Sequence, residues 1–439
     1  MIYLFFLLFT IFNLNKTKSI IKLITFWIIV LILINTDQYF ETILISLGAI
    51  IYYIIKYNKI QNLILFVIFI GSSVWLIKSN NLISIWLALE CQSFSLILLL
   101  FYSNKTLIIN IEAILKYFFV SAISSVIILL GIFNLTICIE SIVINPNLFW
   151  GSSINPWFLI IIPLAFKLAL APIHIWVPEV YQGLSFIGII LISIIPKWTL
   201  IIVLIKLPLF NLFFILIGIF SIVIGSIGGL NQIEFKPLIG YSGISHLGFV
   251  IISLSNSFYS GITISYFYLI TYLITTLGVL IILYKSYNKS LIIQWTNFIS
   301  FNKLNTFIFI TLILSWLGFP PLAGFLAKWV IILNLYKADN LLIIIIIIIL
   351  SIMLSSFYYL RLIKINSSQS KNFYSTWEDS FIKSSINIEL NYFTIINWLF
   401  ILILLINPNP LFLFCSLFKW LFEVILWLIL SLSLVFMDY

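Results

Sequence analysis

The sequence predicts an all-α polytopic membrane protein, on three observations. Apolar residues make up 63% of the 439 positions and charged residues only 8%, too little polar surface to keep a chain of this size dissolved. Stretches of 18 or more apolar residues with few charges recur from end to end, as transmembrane helices require. Period-two alternation over ~10-residue pieces, the pattern of a membrane barrel, is absent.

About fourteen spans can be read, at 2–14, 20–35, 39–56, 60–77, 81–102, 112–138, 155–176, 184–206, 209–230, 237–255, 259–284, 305–336, 340–364 and 391–406. Each is near the ~20 residues that cross a ~30 Å hydrocarbon core. A last apolar stretch, Pro410–Phe436, contains Lys419 and Glu423 and reads either as a fifteenth span or as a helix lying along the membrane surface, the second reading being preferred. Loops are short except Asn366–Leu390, which is polar enough to lie in water. No soluble segment is long enough to hold a nucleotide or a redox centre, so the chemistry is expected inside the bilayer. Met1–Leu14 has no basic region and no small-residue cleavage site, and is expected to be a span and not a cleavable signal.

The formal charge of +9 is spread over short loops and span interiors, which excludes a nucleic-acid-binding block. Cys91, Cys138 and Cys415 are far apart in apolar spans and offer neither metal spacing nor a disulfide framework. Motifs for Fe–S, haem and flavin are missing, so no cofactor is expected on this chain. The 21 lysines stand against a single arginine, Arg361, beside heavy use of Ile, Phe, Asn and Tyr. These residues share AT-rich codons, which points to an AT-biased genome such as an organelle's.

Ionisable groups at bilayer depth cost ~2.5–3.5 kcal/mol on insertion scales and are functional candidates for that reason. Lys16, Lys18, Lys22, Lys56, Lys59, Lys78, Lys206, Lys285 and Lys364 lie near span ends, where a lysine reaches the interface on its flexible stem. Glu90, Lys116, Lys167, Lys197, Lys328 and His246 lie deeper and reach water less easily. Glu112 precedes Lys116 by four residues, which sets acid and base on one helix face within pairing distance. Taken singly, each group has the structural alternative of an ion pair between helices. A series of them suits a proton relay better, because the charge of a buried lysine depends on what stands beside it.

The stretch FKLALAPIHIW, Phe166–Trp176, concentrates the problem. Pro172 removes a backbone donor and clashes with the preceding turn, so the helix is expected to break about one turn beyond Lys167. Carbonyls freed within a bilayer are tolerated only where protein or a water-lined cavity satisfies them. Lys167 and His174 are seven residues apart, on one face if the helix were unbroken. SWLGFPPLAGFLAKW repeats the plan, with Pro320 and Pro321 breaking the span and Lys328 following. Two interrupted spans with buried lysines, the seventh and the twelfth, fit the internally repeated construction of ion transporters.

The stretches LISIWLALECQSFSL, EAILKYFF, FKLALAPIHIWVPEVYQG, IPKWTL, KPLIGYSGISHLGFVI and GFPPLAGFLAKW resemble, in order from about residue 60 to residue 340, the antiporter-like membrane subunits of NADH–ubiquinone oxidoreductase, respiratory complex I, and among them the subunit 2 family. APIHIWVPEVYQG is the most specific piece. The resemblance implies two inverted five-helix repeats, spans 4–8 and 9–13, each offering a half-channel on a polar mid-membrane axis. It divides the chain into three N-terminal spans (1–59), a first repeat (60–206), a second repeat (207–364) and a C-terminal part (365–439). It implies a proton path through Glu90, Lys167, Lys197 and Lys328, with Glu112, Lys116, His174 and His246 as secondary candidates. FMN, Fe–S clusters and ubiquinone would belong to other subunits, and the partners would be neighbouring membrane-arm subunits and lipids such as cardiolipin.

Within that group the subunit 4 type carries a glutamate where this chain has Lys328, and the subunit 5 type continues into a long lateral helix. Animal versions of subunit 2 lack the first three spans, so a protist, plant or fungal mitochondrial inner membrane is expected. The alternatives are a subunit of a multisubunit cation/proton antiporter or of a membrane-bound hydrogenase, and a structural subunit with degenerate sites.

Overall fold

In the computed structural model, the apolar runs become helices and the prolines end them. The structure describes residues 60–103, 108–139, 155–207, 211–255, 258–285, 303–337 and 342–367, with Gly48, Ile51, Thr394, Ile395 and Trp398 as isolated positions. The spans expected at 2–14, 20–35, 39–56 and 391–406, the polar loop and the 410–436 helix lie outside the described residues.

Thirteen helices follow in chain order among the described residues. They are α1 (Ile60–Lys78), α2 (Leu82–Ser103), α3 (Ile108–Ile139), α4 (Asn155–Lys167), α5 (Trp176–Gly183), α6 (Phe186–Ser193) and α7 (Ile195–Lys206). The second group is α8 (Asn211–Leu230), α9 (Phe235–Leu254), α10 (Phe258–Lys285), α11 (Lys303–Leu317), α12 (Ala323–Lys337) and α13 (Leu342–Ser367). Eight stretches among the described residues are long and apolar enough to cross a membrane, α6 and α7 counting as one. The remaining apolar helices, α4, α11 and α12, are the shorter pieces around the two proline breaks.

Burial sorts these helices into a centre and a rim. The α6–α7 pair, α9 and α10 are each 94% buried over their most apolar window, against 39% for α3, α8 and α13. The rim helices expose apolar stripes at helical spacing, as in Ile343, Ile346, Leu350, Met353, Phe357 and Leu360 of α13. An outer face of that kind suits hydrocarbon and not water.

With lipid no less apolar than leucine, such helices are held by close packing of small residues. The α8–α9 contact is built this way: a Cβ added at Gly225 would stand 2.7 Å from Ser245 N. Most serine and threonine hydroxyls turn back onto a carbonyl of their own helix, as Ser72, Ser124, Ser242 and Ser351 do, which leaves them satisfied without a partner helix.

Helix ends are held by cations from elsewhere in the bundle. Lys206 of α7 donates to Ile77 O, Ser79 O and Asn80 Oδ1 at the α1–α2 turn. Lys236 of α9 donates to Leu184 O at 2.6 Å and Gln182 O at 3.4 Å, after α5. Arg361 of α13 donates to Gln232 O at 2.6 Å and Leu230 O at 3.3 Å, after α8. Each cation answers the carbonyls that a helix C-terminus leaves without donors.

Candidate functional site

Both expected helix breaks are present, and each lies beside a lysine. The first spans 168–175. Helix α4 ends at Lys167 itself, earlier than the turn beyond it expected from Pro172. Ala169 takes the left-handed region at φ 62°, and the Ala171–Pro172 peptide is cis. Turn bonds return the chain on itself, Ala169 N to Phe166 O at 2.9 Å and Leu170 N to Ala165 O at 3.0 Å. The Trp176 indole opens α5 by donating to Phe166 O at 3.2 Å.

In the second break, Gly318 ends α11 in the left-handed region at φ 86°, the conformation glycine adopts at a helix C-terminus. Its N–H and that of Phe319 return to Leu314 O at 3.1 Å each. Lys328 reaches back from α12 and donates to Trp316 O at 2.7 Å and Leu317 O at 2.9 Å.

A third, smaller interruption separates α6 from α7 at Ile194, with Pro196 in the first turn of α7 and Lys197 next to it. Lys197 is 7% exposed, Lys328 6% and His246 5%. All three expected central groups are therefore buried.

Cavities lie beside them. One of about 30 Å³ is lined by Lys167, Lys197, Tyr117, Tyr181, Gln92 and Ser121, among others, with room for about two water molecules. Beyond it, Lys197 Nζ donates to the Tyr272 hydroxyl at 3.0 Å. The Tyr272 ring stacks on His246 with centroids 5.0 Å apart. Two smaller cavities of about 10 Å³ each are lined by both His246 and Lys328. His246 Nδ1 is 2.7 Å from the Tyr268 hydroxyl and Nε2 is 3.3 Å from that of Tyr359. The imidazole is also within electrostatic reach of Lys197 and Lys328. A row of polar groups thus extends from Lys167 on α4, through Lys197, Tyr272 and His246 on the most buried helices, to Lys328 on α12.

Glu90 is half-buried on α2 and acts electrostatically on Lys167 and Tyr117. Neither its Oε1 nor Lys167 Nζ makes a hydrogen bond within the described protein. The two belong to one electrostatic neighbourhood without touching.

One sequence expectation, the depth of Lys116, needs correction, while His174 lies beyond the expected break. Lys116 is not withdrawn from the surface: its side chain is 40% exposed, at the edge of the contact between α3 and α5. It pairs with Glu112 at 2.9 Å, as the four-residue spacing predicts, and also with Glu179 of α5 at 2.8 Å. His174 shares no helix face with Lys167, because the chain between them is not helical. The imidazole is half-exposed, with Nδ1 3.1 Å from Pro172 O.

The hydroxyls of Tyr268, Tyr272 and Tyr359 and the indole of Trp176 belong to the site and were not among the expected residues. Tyr268 and Tyr272 are four apart in SYFYLITYLITT, which places both on one face of α10. That pairing was the available signal, diluted among 21 tyrosines.

Comparison with known proteins gives the chain a family and relatives of the same fold. Residues 79–355 match the family model described as NADH:quinone oxidoreductase/Mrp antiporter, transmembrane. NADH-quinone oxidoreductase subunit N of the Wolbachia of Brugia malayi is 33% identical over 336 residues, 71% of each chain. NADH-ubiquinone oxidoreductase chain 2 of Anopheles gambiae is 32% identical over 308 residues, 70% of this chain and 85% of that one. A chain in the structure of respiratory complex I from Thermus thermophilus superposes with a TM-score of 0.73 at 22% identity, covering 85% of this chain and 84% of that chain. The protein belongs to the NADH:quinone oxidoreductase/Mrp antiporter family of membrane subunits, alongside the subunit N and chain 2 proteins.

Proposed function

We propose that this chain is a proton-translocating, antiporter-like core subunit in the membrane arm of respiratory complex I. The observation that carries the reading is the buried axis Lys167–Lys197–Tyr272–His246–Lys328, with cavities of water size along it, inside an otherwise apolar bundle. Buried ionisable groups in a bilayer are retained where a charge must be held or moved.

In this role Lys167 holds a proton near Glu90. When that neighbourhood changes, the proton passes through the cavity to Lys197 and on, past His246, to Lys328. NADH-to-ubiquinone electron transfer, with its FMN and Fe–S clusters, occurs in other subunits, which drive this one electrostatically. Chain 2 and subunit N relatives support membership in such a complex, and neighbouring membrane-arm subunits and lipids such as cardiolipin are its partners. The chain has about fourteen spans, with 1–59 preceding two inverted repeats at 60–206 and 207–364 and 365–439 completing it. It is mitochondrially encoded and resides in the mitochondrial inner membrane, a reading that the chain 2 relative and the organelle-like composition support. A cation/proton antiporter subunit outside complex I shares the fold, but no residue of this site favours it.

The test is Lys167→Ala at the matching position of a genetically tractable bacterial relative, once assembly is verified. Loss of quinone-coupled NADH oxidation and of proton uptake into vesicles is expected, with NADH oxidation by an artificial acceptor intact. Normal pumping by the assembled complex would refute the relay.

A further inference from the structure

Lys197 and His246 stand on two sides of the junction where α5 and α6 meet α9 and α10, and one side chain touches both. The Tyr272 hydroxyl accepts the hydrogen bond from Lys197 Nζ at 3.0 Å, while the Tyr272 ring lies on His246 with an interplanar angle of 27°. Among the described residues this is the one hydrogen bond that holds the Lys197 ammonium. The site has a second requirement on the facing helix. A Cβ built on Gly243 of α9 would lie 3.0 Å from Lys197 Nζ and 3.0 Å from the Tyr272 hydroxyl, with nothing else within 4 Å.

Building on the relay reading above, we infer that Tyr272 is a positioning residue that holds Lys197 at the junction between the two halves of the path, and that Gly243 is the side-chain-free position that admits this bond. A lysine stem is flexible and carries three rotatable donors. Unheld, the ammonium is free to retreat into the cavity it shares with Lys167. A phenol accepts from the charged ammonium and donates to the neutral amine, so the bond survives both protonation states of Lys197. A carboxylate in the same place would favour the charged state and retain the proton. The hydroxyl orients the lysine without trapping its charge. Stacking then relays any displacement of Tyr272 to His246, the next group on the axis.

The experiment uses the complete, assembled complex of a bacterial relative carrying Tyr272→Phe, Gly243→Ala or both at the matching positions. Tyr272→Phe keeps the ring on His246 and removes only the hydroxyl. A coupled proton-uptake rate about tenfold to a hundredfold lower is expected, in line with the loss of one charge-assisted hydrogen bond. Gly243→Ala should lower the rate comparably, because its methyl group enters the bond.

Both changes act on one contact, so the double variant should pump no more slowly than the slower single one. Effects that multiply would mean that the two positions act independently, and that result would overturn the inference. Wild-type pumping by Tyr272→Phe would overturn it too. Should Tyr272→Phe fail to assemble, Gly243→Ala is compared with Gly240→Ala. The three atoms nearest the added methyl of Gly240→Ala belong to Pro178 and Val177, at 3.3 Å or more. Equal pumping by those two variants would end the inference. Lys197→Ala separates the levels: if it pumps normally, the relay itself is wrong. If it abolishes pumping while Tyr272→Phe does not, only the role of Tyr272 is wrong.

Discussion

The two broken helices use the same device and hold their lysines in opposite ways. At the first break the freed carbonyl of Phe166 is taken by an indole, that of Trp176, and Lys167 Nζ is left without a hydrogen bond, near a carboxylate it does not touch. At the second break the lysine performs the capping, with Lys328 donating to both Trp316 O and Leu317 O. No carboxylate among the described residues pairs with it. A helix end is a fixed, non-titrating partner carrying roughly half a negative charge, whereas Glu90 is a full charge that protonation removes. The first lysine thus has a carboxylate for a neighbour and no bond to hold it, and the second is bonded to the backbone of a helix end.

That contrast can be broken most directly by deleting both lysines in turn. Lys328→Ala strands two buried carbonyls and is expected to cost about 2–4 kcal/mol, read as lower thermal stability of the purified complex, besides loss of pumping. Lys167→Ala should cost the fold far less. Equal destabilisation by the two would erase the distinction. Gly318→Ala comes next, at about 1–2 kcal/mol, since φ is 86° there and a Cβ would stand 3.0 Å from Lys328 Cδ. Differential scanning of the assembled complex would reveal it, and an unchanged midpoint would mean that the break tolerates a side chain.

Trp176→Phe should cost about 1 kcal/mol, because Phe166 O keeps its bond from Ala169 N. A loss as large as that of Lys328→Ala would show that the indole is as essential to its break as the lysine is to the other. Glu90→Gln has the smallest expected effect on stability, since no hydrogen bond holds its Oε1. It is nevertheless expected to lower coupled proton uptake about tenfold, consistent with loss of one nearby full charge. Unimpaired pumping would move the responsive partner of Lys167 away from Glu90.

The sequence made much of this legible. Hydropathy placed the described spans, the prolines placed both breaks, and the rarity of charge singled out Lys167, Lys197, Lys328 and His246. What hydropathy could not convey is rotation about the helix axis. A soluble helix shows its inner face by its apolar stripe, but a membrane helix is apolar on every side. Lys116 therefore looked as deep as Lys197, yet one is 40% exposed beside α5 and the other lies at the centre. The same ambiguity hid Tyr272 and Gly243, whose importance comes from a contact between α7, α9 and α10. Trp176 was invisible as a cap because its acceptor, Phe166 O, becomes available only once the helix has broken.

Lys206, Lys236 and Arg361 each hold a turn from a helix remote in sequence, at the ends of α1, α5 and α8. The helices are thus tied to one another independently of the segments that join them. The chain should behave as a set of interlocking parts: severed between α7 and α8 and co-expressed as two fragments, it should still assemble. The connections would then govern the order in which the helices enter the membrane, and the cations where they come to rest.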